Sequence, residues 1–177
     1  MQELKIPQER IAMLLGKEGS TKRELETKTG TKIRVDSDEG DVLIEGDELK
    51  CFITLNIIKA IGRGFNPKIA LRLLNEENIL EIINMEDYLG NNKKKILTAR
   101  SRLIGTGGKA RRSIESLTFS NISVYGKTVA IIGEIEKAEI AKQALINLIM
   151  GSKHGNVYAF IDKRKKSLDE EEIKAKE

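Results

Sequence analysis

Apolar positions along this chain switch between two periods. An alternating, strand-like pattern marks "ELKI" (Glu3–Ile6), "TKIRV" (Thr31–Val35) and "DVLIEG" (Asp41–Gly46). A helical period marks Glu9–Leu15, Ser20–Lys28 and Glu48–Ile61. The set then comes again. Strands are predicted at "ILEIIN" (Ile79–Asn84), "ISVY" (Ile122–Tyr125) and "TVAIIG" (Thr128–Gly133), and helices at about Lys95–Ile104, Lys109–Leu117 and Ile135–Met150. Each half reads strand, helix, helix, strand, strand, helix. The turns "SDEGD" and "GK" join the last two strands of each half.

The two halves are copies of one unit. "LLGKEGSTKRELETKTGTKIRV" (Leu14–Val35) lies on "LIGTGGKARRSIESLTFSNISV" (Leu103–Val124) without a gap. Gly16 falls on Gly105, Gly19 on Gly108, Leu25 on Ile114, Thr29 on Thr118 and Ile33 on Ile122. After a short gap, "VLIEGD" (Val42–Asp47) matches "VAIIGE" (Val129–Glu134), and Ile58, Ile61 and Gly64 fall on Leu145, Leu148 and Gly151. A unit of roughly 65–80 residues is marginal alone, so the copies are expected to pack together. Gly30 is a good left-handed stop for its helix. Phe119 stands in that place in the second copy, so that helix is expected to end differently.

Between the copies, Pro67 suits the first turn of a short helix with Ile69, Ala70, Leu73 and Leu74 as its apolar face. The chain thus divides into a first domain (1–66), a connecting helix (67–77), a second domain with a C-terminal extension (78–161) and a charged tail (162–177). The tail is expected to fray or form a loose helix.

Composition excludes several classes. The 177 residues hold one cysteine and one histidine, so neither an internal disulfide nor a Cys/His zinc cage is possible. Cys51 sits in an apolar helical pattern and reads as a small buried hydrophobe in a reducing compartment. No run approaches the ~18 apolar residues of a membrane span, and the N-terminus has no apolar signal core. A cytoplasmic protein without membrane contact is expected. The net charge of +4 hints at an anionic partner. Its distribution says more, because Lys93–Ile114 holds eight Lys/Arg and no acid.

That basic block surrounds "GTGG" (Gly105–Gly108), the counterpart of "GKEG" (Gly16–Gly19). A G-x-x-G turn between two helices presents a helix N-terminus without side-chain bulk, and its free N–H groups attract an anion. Lys17 and Lys109 add charge beside the loops. Lys22, Arg23, Arg111 and Arg112 lie one turn further on. Two such loops, each in the same helix and strand context, resemble the KH domain of RNA-binding proteins in its type I order. The resemblance covers most of residues 1–151. It implies an α+β fold of two tandem βααββα domains, each a three-stranded antiparallel sheet with three helices on one face. In that family the loop clamps the backbone of about four single-stranded nucleotides.

The resemblance makes Gly105, Thr106, Gly107, Gly108, Lys109, Arg111 and Arg112 the principal RNA-binding candidates, with Arg102, Ile104 and Ile122 in an adjacent groove. In the first copy the candidates are Gly16, Lys17, Gly19, Lys22 and Arg23. The groove reading also takes in Leu103, Ile114 and Val124, for all of which plain core is the competing reading. Two departures from the pattern stand out. Lys22 and Arg111 occupy a position often apolar in KH domains, and Glu18 puts an acid in the first loop. The second copy is therefore expected to carry most of the RNA affinity.

"GFNPKIALRLL", "NISVYGKTVAIIG" and "GSKHGNVYAFI" go further. They are similar to the archaeal two-KH small-subunit ribosome assembly proteins, relatives of the eukaryotic partners of the Nob endonuclease. That likeness implies binding near the 3′ end of small-subunit ribosomal RNA. It also implies contact with a Nob-type endonuclease and with the alpha subunit of translation initiation factor two. Two copies in one chain lessen the need for a dimer, and a monomer is expected.

Rival readings are weaker. "GTGGKAR" is not a nucleotide-binding P-loop and follows a helix rather than a strand. His154 is a lone loop histidine, and the acids of "SDEGD" suit a solvated turn better than a metal. No cofactor, metal or catalytic residue is expected, and the chain is not expected to be an enzyme. A protein-binding adaptor with silent loops is the alternative.

Overall fold

The computed structural model describes residues 1–176, which fall into two compact units, residues 1–80 and residues from 81 onward. In the first unit, strand β1 (Gln2–Lys5) leads into helix α1 (Gln8–Leu15), a tight turn (Lys17–Gly19) and helix α2 (Ser20–Thr29). Strands β2 (Lys32–Val35) and β3 (Asp41–Glu45) and helix α3 (Glu48–Gly62) follow. β3 is central, antiparallel to β1 on one side and to β2 on the other. Its Val42 and Ile44 are fully buried, as the strand alternation requires. Asp47 starts α3 by accepting the Lys50 N–H at 3.3 Å. From there Cys51, Thr54, Ile57, Ile58 and Ile61 form the buried stripe of the helix. Each large aliphatic buried this way contributes about 1.5–3 kcal/mol.

The "SDEGD" turn is organised locally. Asp36 accepts the N–H groups of Asp38 (2.9 Å) and Glu39 (3.1 Å), and these bonds hold its carboxyl below the usual aspartate range. Beyond α3, Asn66 caps a single helical turn, α4 (Pro67–Ala70), with Pro67 in its first turn. A further tight turn (Leu71–Leu74) completes the connector.

The second sheet is made of β4 (Asn78–Asn84), β5 (Asn121–Tyr125) and β6 (Thr128–Glu134), with β6 in the middle. A short helix α5 (Glu86–Leu89) follows β4 and had no signal in the periodicity. Then come α6 (Lys93–Ile104), a tight turn (Thr106–Gly108), α7 (Lys109–Thr118) and, after β6, α8 (Ile135–Ile149). The expected βααββα order is thus present twice, with two three-stranded antiparallel sheets. Lys142 of α8 donates to Glu81 at 3.1 Å, which ties helix to strand and raises the lysine pKa.

Two features refine or overturn expectation: the tail takes the helical one of its two expected alternatives, and one helix end is not what the sequence pointed to. The segment from His154 to Ala175 is one helix, α9, including the charged residues after Asp162. Its first turns dock through Val157 and Ile161 on α7 and α8. That docking supplies the nucleus from which a run rich in Glu and Lys stays helical. His154 opens this helix, and its Nε2 lies 2.8 Å from the Arg102 carbonyl oxygen. The second difference is at Phe119. It ends α7 in the same left-handed conformation (φ 52°, ψ 30°) that Gly30 gives α2 (φ 67°, ψ 29°). The ending did not change with the residue. The residue before it is a buried threonine in both copies, and the hydroxyls of Thr118 and Thr29 each bond back to the helix (2.7 and 2.8 Å). No helix among the described residues is long and apolar enough to cross a membrane.

A left-handed backbone costs an L-residue about 1–2 kcal/mol. A Cβ at Gly30 would meet nothing closer than the Lys50 ammonium at 3.4 Å. Gly30→Ala is therefore expected to lower unfolding stability by about 1 kcal/mol through backbone strain alone, read as a shifted urea midpoint with an unchanged slope.

Candidate nucleic-acid interface

The two loops superimpose in backbone angles. Gly16 and Gly105 have φ of 70° and 73°, and Gly19 and Gly108 have φ of 75° and 77°. Between them stand Glu18 (φ 52°) and Gly107 (φ 60°), also left-handed. Each loop closes on itself. The Gly16 and Gly105 amides donate to Ala12 and Ser101 one turn back (both 2.9 Å), and Gly19 and Gly108 donate to Gly16 and Gly105 (3.3 and 3.1 Å). No side chain caps the N-terminus of α2 or α7. The partial positive charge of each helix start is thus left facing outward. Thr106, Gly107 and Lys109 are exposed, as are Lys17, Glu18 and Ser20.

The glycines do different work. A Cβ on Gly105 would sit 2.8 Å from the Ala110 amide nitrogen and Cβ, and one on Gly16 would meet Thr21 as closely. These first glycines let the two helices approach. At Gly107 a Cβ would meet nothing within 4 Å. Gly107 therefore keeps the outer surface of the loop bare, and its counterpart Glu18 fills that place with an acid.

Cations around the loops divide into committed and free. Arg23 donates to the Glu18 carbonyl at 2.7 Å, which braces the first loop. Its counterpart Arg112 lies over Gly108. No acid pairs with Lys109, Arg112 or Lys17 among the described residues. Lys22 and Arg111, offered as RNA contacts, are engaged at the same place in each copy. Lys22 pairs with Glu26 at 3.5 Å and Arg111 with Glu115 at 3.1 Å. Those glutamates accept the strand amides of Ile33 and Ile122, both at 2.8 Å. The repeat alignment already places Glu26 on Glu115, so this helix-to-strand tie was detectable as a matched pair of acids.

Two expected site residues are corrected. Arg102 is engaged by the backbone of its own unit. Its guanidinium donates to the Leu148 carbonyl at 2.6 Å and to that of Ser152, closing the open carbonyls at the end of α8. Arg10 does the same for the first unit, donating to Ile61 and Phe65 at 2.8 Å. Ile61 is the counterpart of Leu148, although the donors come from different turns of their helices. Ile122 is 3 % exposed and belongs to the core, as do Leu103 and Ile114. Ile104 and Val124 are only half-buried and stay available beside the loop. A residue outside the expected set is Arg100 on α6. Its Nε is buried with no hydrogen-bond partner, one turn before Ile104.

Comparison with known proteins gives a consistent result. Residues 79–166 match the family model described as a eukaryotic-type KH domain (type I), the second of PNO1, and residues 1–60 match the KH domain model. A KH domain-containing protein of Methanocaldococcus jannaschii is 44 % identical over 170 residues, covering 93 % of this chain and 74 % of that protein. A solved chain from Pyrococcus horikoshii, described as an a/eIF2α–aDim2p–rRNA complex, is 46 % identical with a TM-score of 0.88, covering 94 % of each chain. The pre-rRNA-processing protein PNO1 of Coccidioides immitis is 29 % identical over 104 residues, which is 58 % of this chain and 41 % of that protein.

Arg102→Ala is expected to remove about 2 kcal/mol of stability, since hydrogen bonds to a charged group are worth ~1.5–3 kcal/mol. The folded variant should bind a polyanion with unchanged affinity. A chemical denaturation curve paired with a titration below the melting range separates the two effects.

Proposed function

This chain belongs to the two-KH-domain family, and from that premise we propose that it binds single-stranded RNA at the 3′ end of small-subunit ribosomal RNA during ribosome maturation. The observation that carries this reading is the acid-free loop Gly105–Gly108. It is exposed and bare at Gly107, it opens an uncapped helix, and unpaired Lys109 and Arg112 flank it. A phosphate brought to the α7 N-terminus meets the exposed loop backbone and the positive end of the helix dipole together, and the two cations add the salt-sensitive part of the attraction. Residues 78–161 then form the main RNA-binding domain and residues 1–66 the assisting one, with 67–77 as connector. The relative solved with an initiation-factor alpha subunit and rRNA supports the same two partners here. Contact with a Nob-type endonuclease rests on family likeness alone.

In the first unit Glu18 sets a carboxylate at the outer rim of the loop. That acid favours a second reading for this copy, a protein-binding surface that no longer clamps a phosphate. For the whole chain we favour a binding protein over an enzyme, which its KH-domain relatives support.

The test is a titration with single-stranded RNA across a salt series. Two loop cations give an expected log–log slope of about −1.4 or steeper. Gly107→Asp should fold, because Glu18 already holds that backbone in the first copy. Its affinity should drop at least about tenfold, as a like charge enters a phosphate site. Glu18→Gly should raise affinity or leave it unchanged. A folded Gly107→Asp protein that binds as the wild type does would remove the clamp from the second unit.

A further inference from the structure

Phe119 combines three properties that the fold alone does not require together. It holds a left-handed backbone, costly for a bulky residue, where the first unit uses glycine. Its side chain is 63 % exposed. Two ammonium groups lie over its ring, Lys137 Nζ of α8 at 5.4 Å and Lys165 Nζ of α9 at 5.1 Å. Lys137 also pairs with Glu134 at 2.9 Å, but no acid pairs with Lys165. Lys163, Arg164 and Lys166, its exposed neighbours on α9, have no ion pair among the described residues either. An exposed aromatic with a lysine from each of two helices over its ring, one of them free of any acid, has the composition of a single-strand stacking platform. Such a platform holds a base by its π-face and the flanking phosphates by charge.

We propose that Phe119, Lys137 and Lys165 form a second RNA contact on the second unit, in which a base stacks on the Phe119 ring while the lysines swing from the ring to the adjacent phosphates. The proposal rests on the RNA-binding reading of the Gly105–Gly108 loop and extends it. The loop opens α7 and Phe119 closes it, so the two contacts stand about 15 Å apart along a ten-residue helix. An oligomer of about four nucleotides fills the loop clamp alone, whereas a longer strand reaches both. The charge of the surround favours RNA over an apolar protein surface, which would have little use for lysines around its anchor.

The chain has no tryptophan, so Phe119→Trp puts the one tryptophan, excited selectively over the tyrosines, at the proposed contact. With RNA of the small-subunit 3′ end, an oligomer of about 12 nucleotides should quench it and one of about four should not. Phe119→Gly relieves the left-handed strain and should melt a few degrees higher (about 3 °C). It should nonetheless bind the long oligomer about tenfold more weakly and the short one as wild type does. A more stable variant that binds RNA less well cannot be explained by damage to the fold. If Phe119→Gly binds the long oligomer like wild type and Phe119→Trp stays unquenched, while Gly107→Asp still loses affinity, the platform is wrong and the loop reading stands. The platform is equally wrong if a protein partner, and not RNA, changes the tryptophan emission. If wild type binds neither oligomer, the loop reading falls and takes the platform with it.

Discussion

Each unit depends on a chain reversal made from left-handed residues. The start of the second helix is brought against the end of the first by a four-residue turn with positive φ at its first, third and fourth positions. Glycine at the first position is enforced by contact, since a methyl group there would overlap the next helix. The same geometry leaves the helix start without a side-chain cap. A packing requirement thus leaves the helix start uncovered as a by-product, because the residues that allow the close approach carry no side chain that could cap it.

What differs between the copies is the charge laid over an unchanged backbone. Glu18 and Gly107 share one conformation, and one carries an acid where the other carries nothing. Around them the supporting bonds are duplicated. Glu26 and Glu115 hold the strand amides of Ile33 and Ile122, and Arg10 and Arg102 close the ends of α3 and α8. These ties keep helices and strands in register, so the loop is presented by a rigid frame. Binding then need not order it at extra entropic cost.

Much of this was legible in the sequence, for a physical reason. The two copies share a hydrophobic period, so Leu25 and Ile114, or Ile61 and Leu148, announce their burial by position alone. The glycine spacing likewise reports backbone conformation directly. The misreadings concern side chains with two possible uses. An arginine beside a glycine loop looks like a phosphate ligand, and only coordinates show Arg102 turned toward the carbonyls of Leu148 and Ser152. Ile122 lies on a strand next to the candidate groove, and which way it faces depends on register. Phe119 defied a local rule, taking the left-handed turn that Gly30 takes in the first copy. The last turns of α9 depend on docking far earlier in the helix, which no window over the tail detects.

The most direct test of the account watches the loop amides themselves. In a ¹H–¹⁵N spectrum of the whole protein, adding a single-stranded RNA of about four nucleotides should shift the resonances of Thr106, Gly107, Gly108 and Lys109 first and furthest. Those of Lys17, Glu18 and Gly19 should move little. RNA that binds the protein while the Thr106–Lys109 amides stay unmoved would contradict the claim that exposed backbone at the start of α7 receives the phosphate.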